Sequence, residues 1–150
     1  MEEVETILTE KDLTGEKLLV TAGPTREPLD PVRFITNYSS GKMGYALAVA
    51  AKRRGASVTL ISGPTLLPVP RGVQFIGIAT AREMKEAVMA HYQAATAIIK
   101  AAAVADYRPA VRSDMKIKKQ EGAFSLSLER MDKFICFALR LAPFWPRKPV

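Results

Sequence analysis

The sequence predicts an α/β fold built on a mostly parallel, doubly wound sheet with helices on both faces. Three observations predict it. Short apolar runs recur at residues 17–21, 57–61, 73–78 and 96–101, each the length of a buried strand. Two stretches of helical period lie among them. Strands alternating with helices require right-handed crossovers and a parallel sheet covered on both sides.

Residues 2–10 are expected to form a short helix, and Asp12 to Glu16 a turn leading into the domain proper as a linker. Lys17 to Thr21, KLLVT, is the first strand, stopped by Ala22-Gly23-Pro24. The roughly twenty residues that follow are longer than an ordinary connection, and loops of that length are commonly functional. From Lys42, the residues Met43, Ala46, Leu47, Ala50 and Ala51 recur at helical spacing and predict one buried stripe, with the helix ending at Gly55. Ser57 to Ile61 is the second strand and Val73 to Ile78 the third. Thr80 stands three residues before Glu83, a capping box, and Met84, Ala87 and Val88 supply the buried face of a helix running to about His91. Thr96 to Ala101 is the fourth strand, which makes the class Rossmann-like. Ala123 to Leu128, AFSLSL, alternates like a half-buried strand and predicts a hairpin or edge strand.

Length, 150 residues, suits one unit with a real core. No apolar run reaches the roughly 20 residues of a membrane helix. The acidic start MEEVETILTEKDL lacks the basic flank and apolar stretch of a signal peptide, so a cytoplasmic location is expected. The single cysteine, Cys136, cannot form an intramolecular disulfide, and its neighbours Phe134, Ile135 and Phe137 predict a packed thiol. The net charge of +7 raises the question of nucleic acid, but its distribution argues against it. Residues 130–150 carry Arg130, Lys133, Arg140, Arg147 and Lys148 against Asp132, more than half of the excess. Three further positives, Lys116, Lys118 and Lys119, stand within four positions, and no basic helix face with interleaved aromatics accompanies them.

In a parallel α/β sheet, ligands bind beyond the carboxyl ends of the strands, which directs attention to the loops after strands one, two and four. The first, AGPTREPLDPVRFITNYSSGKMG, holds Arg26, Arg33, Asn37, Ser39, Ser40, Gly41 and Lys42 and runs into a helix start. Hydroxyls, glycine and unpaired backbone N–H groups there suit a phosphate or carboxylate, and Lys42 adds a point charge. The plainer alternative is that Ser39 or Ser40 caps the helix and Gly41 permits a turn. Pro24, Pro28 and Pro31 stiffen the approach. After strand four, AAAVADYRP brings small residues to a strand end, where Asp106 either accepts hydrogen bonds from a ligand's hydroxyl or amino groups or caps a turn before Pro109. In KIKK, alternation puts Lys116 and Lys118 on one face and Lys119 on the other, a pattern suited to polyphosphate and shared by solvated charge runs.

Taken as strings, VTAGPTREPLDPVRFITNYSSGKMGYALA, TLISGPT, AAAVADYRP and KIKKQ resemble, in order and spacing, the phosphopantothenoylcysteine synthetases of bacterial coenzyme A biosynthesis. The resemblance runs from Lys17 to about Arg130 and sets domain boundaries at 1–16, 17–130 and 131–150. It implies a CTP-dependent ligase that joins cysteine to 4'-phosphopantothenate through an acyl-cytidylate. By the same resemblance Asn37 binds that intermediate and completes its conversion, and Ser39, Ser40, Gly41 and Lys42 accompany it on the substrate side. Ala102 and Ala103 line the nucleotide site; Asp106, Lys116 and Lys118 contact the nucleotide, with Lys116 also catalytic. Mg2+ is expected with the triphosphate, its ligands unknown. A homodimer is expected in the intact family, as is fusion to a flavin-dependent decarboxylase domain, so no flavin is assigned to this portion. Family members continue with an asparagine-proline-aspartate-type segment where this chain reads RMDKFICFALRLAPFWPRKPV, so residues 131–150 are expected to be divergent and poorly packed, the fold incomplete at the C-terminus and ligase activity impaired.

Two rival readings remain. A nicotinamide-dependent oxidoreductase would share the strand order, but no G-x-G-x-x-G follows strand one and strand two ends in Ser62-Gly63-Pro64 in place of an acidic residue. A non-catalytic nucleotide-binding or dimerisation remnant would keep the fold without turnover.

Overall fold

A computed structural model describes residues 8–119 and 121–131. Four parallel strands form the central sheet in the order β5-β4-β1-β6, where β1 is Lys17–Ala22, β4 Ser57–Ser62, β5 Gln74–Gly77 and β6 Ala97–Lys100. This is a doubly wound sheet: β1 is flanked by β4 on one side and β6 on the other, so the winding reverses between β1 and β6 and leaves a crevice at their carboxyl ends.

The two helices lie on opposite faces. Helix α1, Lys42–Arg53, packs Tyr45, Ala48 and Ala51 over Leu18, Val20, Ala22, Val58 and Leu60. Helix α2, Ala81–His91, packs Met84 and Val88 over Leu19 and Ile61. Alternate residues of β1 thus feed the two cores, as the two-residue period of a strand requires. The capping box is present: the Thr80 hydroxyl accepts from the Glu83 N–H, and the Glu83 carboxylate accepts from the Ala79 N–H at 2.7 Å. These contacts hold the Glu83 carboxyl below its ordinary pKa, the Ala79 N–H contributing most.

Three local expectations need correction. First, α1 buries Gly44, Tyr45, Ala48 and Ala51, whereas Met43 is 64% exposed and Ala46 and Ala50 are also exposed. The face is set by Gly44, whose missing Cβ lets the helix approach Ala22; a methyl there would lie 2.5 Å from the Ala22 Cβ. Second, the long loop after β1 contains an antiparallel hairpin, β2 Arg26–Pro28 with β3 Phe34–Thr36. Third, residues 123–127 form no strand; the pairing falls at β8, Leu128–Arg130, antiparallel to β7, Tyr107–Pro109. Residues 123–127 are exposed apart from the half-buried Leu126, and the Ser127 carbonyl accepts from the Ala110 N–H just beyond β7, so the ladder itself begins at Leu128.

Helix α1 stops at Gly55, φ 96°, with the Arg54, Gly55 and Ala56 N–H groups returning to the carbonyls of Ala50, Lys52 and Ala51. Asp12 to Glu16 is fastened to this turn: Asp12 pairs with Arg54, the Leu13 N–H donates to the Arg54 carbonyl, and the Ser57 N–H donates to the Glu16 carbonyl. The expected helix over residues 2–10 falls mainly, and the expectations for Cys136 and the 131–150 tail almost wholly, outside the described residues. Among the described residues no helix is long and apolar enough to cross a membrane.

Candidate functional site at the strand ends

The chain leaves β1 at Ala22 and turns at Gly23, φ 70°, where it meets its own later repeat of Gly-Pro-Thr. The Gly63 N–H donates to the Ala22 carbonyl, and a Cβ on Gly63 would lie 1.7 Å from the Pro24 carbonyl oxygen. Gly23 reciprocates, its absent Cβ facing the Gly63 carbonyl at 2.9 Å. Two loops that are 40 residues apart in sequence therefore interlock backbone to backbone. Glycine is required because any side chain would separate them.

Beyond Pro24 the chain crosses the mouth of the β1–β6 crevice. Pro24 bridges Ala103, the Ala103 N–H donates to the Gly23 carbonyl at 2.9 Å, and the Thr25 N–H donates to the Ala103 carbonyl. Thr25 is fully buried, and its hydroxyl accepts from the Ala105 N–H at 3.0 Å. The hairpin β2–β3 is then fixed through Arg26, Glu27 and Thr36. Arg26 donates its N–H to the Ala79 carbonyl, and its guanidinium lies 4.6 Å from the centroid of the Phe34 ring. The buried Glu27 carboxylate accepts from the Ala81 N–H at the start of α2. The Thr36 hydroxyl donates to the Thr25 carbonyl at 2.7 Å.

At the hairpin tip Asp30 is a hub. Its side chain is fully buried, and its carboxylate accepts from the N–H groups of Val32 and Arg33, from the Arg33 guanidinium and from the Ile117 N–H. The Arg33 guanidinium above all holds this carboxyl far below the usual carboxylate range, and the backbone donors add to the effect against the cost of desolvation.

The hairpin delivers Asn37 to the crevice. Its side-chain amide donates to the Val104 carbonyl at 3.0 Å and stands 3.5 Å from the Ala103 carbonyl oxygen. Asn37 thus sits at the carboxyl ends of β1 and β6, with its residue surface exposed and its carbonyl oxygen available as an acceptor. Helix α1 follows within five residues. Its N-cap is Gly41, φ 74°, with no side-chain cap. The Ser39 hydroxyl accepts from the Gly41 N–H at 3.3 Å and the Ser40 hydroxyl lies 3.5 Å from the Lys42 nitrogen, so neither serine occupies the capping position. Gly41 makes the turn, and its Cα face is pressed against Gly23 and Thr65.

The remaining predicted positions divide. Ala103 lies in the crevice wall; Ala102 packs against the Leu19–Ile61–Met84–Val88 core. Asp106 is exposed, and its backbone carbonyl accepts from the Met131 N–H. Lys116, Lys118 and Lys119 are exposed on a segment outside any strand. That segment meets the hairpin tip at Ile117, and β3, three strand residues or roughly 10 Å long, runs from the tip toward Asn37. The sequence reading overlooked Thr25, Glu27 and Asp30, three of the five buried polar residues among those described. The available signal was polar residues placed where stiff prolines hold the chain against the sheet. A separate cleft of about 520 Å3, lined in part by Tyr45, Thr65, Phe75 and Glu83, opens at the ends of β4 and β5, away from Asn37. Among the described residues no three His, Cys, Asp or Glu side chains gather as a metal site.

The family described as the DNA/pantothenate metabolism flavoprotein C-terminal domain matches residues 13–138. The chain is 53% identical over 123 residues to the coenzyme A biosynthesis bifunctional protein CoaBC of Bacillus subtilis (strain 168), covering 81% of this chain and 30% of that protein. It is 58% identical over 109 residues to the CoaBC protein of Escherichia coli (strain K12), covering 73% of this chain and 27% of that one. Among solved structures, the C-terminal domain of CoaBC superposes with a TM-score of 0.72 at 47% identity, over 84% of this chain and 58% of that one. A Cab2 mutant in complex with phosphopantothenate-cysteine shares the fold, with a TM-score of 0.69 at 17% identity over 89% of this chain and 61% of that one. The chain thus spans about 30% of the length of the first curated relative it matches. These matches place the chain in the DNA/pantothenate metabolism flavoprotein C-terminal domain family, the phosphopantothenoylcysteine synthetase domain that its motifs resemble.

Proposed function

We propose that the β1–β6 crevice serves a phosphopantothenate–cysteine ligase of coenzyme A biosynthesis, with CTP as the activating nucleotide. The observation that carries the reading is the Asn37–Val104 hydrogen bond, because it joins NYSSGKMG and AAAVADYRP, 67 residues apart, at one strand-end crevice. In the reaction the 4'-phosphopantothenate carboxylate attacks the α-phosphorus of CTP and pyrophosphate leaves. The cysteine amine then attacks the acyl carbon of the acyl-cytidylate, CMP departs and the amine's proton is lost to solvent.

Each group has a role consistent with its surroundings. The Asn37 amide, held by Val104, presents its carbonyl oxygen to the acyl-cytidylate. The N–H groups at the start of α1, with Ser39, Ser40 and Lys42 around them, suit the phosphate of phosphopantothenate. Ala103, in the crevice wall next to the core-packed Ala102, permits a flat base to approach the backbone, and Asp106 accepts from the nucleotide's hydroxyl or amino groups. Lys116 and Lys118 neutralise charge developing on the departing pyrophosphate. Mg2+ fits as an ion carried by the triphosphate, in keeping with its preference for phosphate oxygens and retained waters over an all-protein cage.

The test is CTP titration of this chain combined with pyrophosphate release and amide formation from CTP, phosphopantothenate and cysteine. CTP binding with turnover supports the ligase. CTP binding without either product would favour a nucleotide-binding remnant, and tight NADH binding in place of CTP would favour the oxidoreductase.

A further inference from the structure

We infer that Asp30 is a positioning residue that fixes the Lys116–Lys119 segment relative to Asn37; its nucleotide consequence rests on the function proposed above. The segment from Ser113 to Lys119 belongs to no strand, yet it is pinned to the hairpin tip at three points. The Ser113 N–H donates to the Leu29 carbonyl at 3.0 Å, the Ile117 N–H donates to the Asp30 carboxylate at 3.1 Å, and the Arg33 guanidinium donates to the Ile117 carbonyl at 2.9 Å. Two of the three pass through the Asp30–Arg33 pair.

Both peptide groups of Ile117 are consumed by that pair, which leaves the flanking Lys116 and Lys118 side chains exposed on a fixed backbone. The pair is itself anchored. The Asp30 carboxylate accepts five hydrogen bonds within a fully buried setting, which satisfies its lone pairs and fixes its rotamer. The turn closes through the Leu29 and Asp30 N–H groups, both donating to the Arg33 carbonyl. From Arg33 the chain runs directly through β3 to Asn37, which is tied to Val104. One short rigid element therefore carries Asn37 at its base and the lysine backbone at its tip. An ammonium group on a long flexible stem gains affinity for phosphate when its backbone is preorganised, because less motion is lost on binding.

The test has two arms on the full chain. In limited trypsin digestion read by mass spectrometry, Asp30→Asn should raise cleavage after Lys116, Lys118 or Lys119 by about tenfold, with cleavage after Lys52 and the circular dichroism spectrum unchanged. Ile117→Pro, which deletes the donated N–H and leaves the Asp30–Arg33 pair intact, should raise cleavage after Lys118 or Lys119 likewise, the Lys116–Pro bond being itself resistant to trypsin, and stands in if Asp30→Asn fails to fold. In CTP titration, Asp30→Asn should weaken binding about tenfold alone and produce no further loss in a Lys116→Ala background. Unchanged cleavage in both variants overturns the anchoring, and additive losses in the double variant overturn the positioning role. If the unsubstituted chain does not bind CTP, the proposed function and the nucleotide half of this inference fall together, while the digestion still decides whether Asp30 anchors the segment.

Discussion

The carbonyl oxygen of Pro24 occupies the space where Gly63 would carry a Cβ, at 1.7 Å from its ideal position. This contact seats the loop after β1 against the loop after β4, and through Gly41 and Thr65 it also seats the start of α1. The neighbours are backbone atoms, which cannot swing aside as a side-chain end can.

Gly63→Ala should therefore cost at least the roughly 1–3 kcal/mol of overpacking, since backbone must move. That corresponds to a fall of several degrees in the thermal midpoint by calorimetry. Gly77→Ala is the control: its Cβ would meet only the Phe75 ring, at 3.4 Å, so its midpoint should stay much closer to that of the unsubstituted chain. Equal shifts would show that the interlock is not a tight steric constraint.

Asn37→Asp keeps the shape and replaces the donating amide with a carboxylate facing the Val104 carbonyl. The expected result is a fall in amide formation of about 100-fold or more, the scale of losing a preorganised polar contact, with a smaller fall in pyrophosphate release. Parallel losses in both half-reactions would place Asn37 outside the second step.

Lys116→Ala should weaken CTP binding about tenfold, the effect of one charge-assisted hydrogen bond of roughly 1.5 kcal/mol. Lys119→Ala should have less effect, since Lys116 and Lys118 are the residues flanking the pinned Ile117. Titration calorimetry at fixed ionic strength measures both, and equal losses would indicate a diffuse solvated charge run.

The Asp30 carboxyl is held down in the folded chain, chiefly by Arg33. A depressed folded-state pKa contributes stability that is fully present above the unfolded value, about 3.9, and is lost as pH falls from there toward the folded value. The stability difference between the unsubstituted chain and Asp30→Asn, measured by urea unfolding, should be constant from pH 6 to 8 and shrink below about pH 4. A difference independent of pH would mean that the carboxylate's charge is not what holds the tip.

Much of the fold was legible because it is written in local pattern. The apolar runs marked β1, β4, β5 and β6, Thr80 and Glu83 marked the start of α2, and Gly55 marked the end of α1. The face of α1 was not legible, since Gly44 signals close packing by lacking a side chain. The hairpin β2–β3 was hidden for a different reason. It is held by polar contacts to distant segments: Glu27 to Ala81, Thr25 to Ala105 and Asp30 to Ile117, at separations of 54, 80 and 87 residues. No window of neighbouring residues contains that information. The same distinction applies to the candidate site: Asn37 and Gly41 stood in a recognisable string, while the anchors beneath them did not.

Whether the nucleotide lies in the β1–β6 crevice is decided by a crystal structure of the chain with CTP. The expected result is the base against Ala103, Asp106 within hydrogen-bonding distance of the nucleotide, and the phosphates within reach of Lys116. Nucleotide bound in the β4–β5 cleft beside Tyr45 and Glu83, with the Asn37 crevice empty, would contradict it.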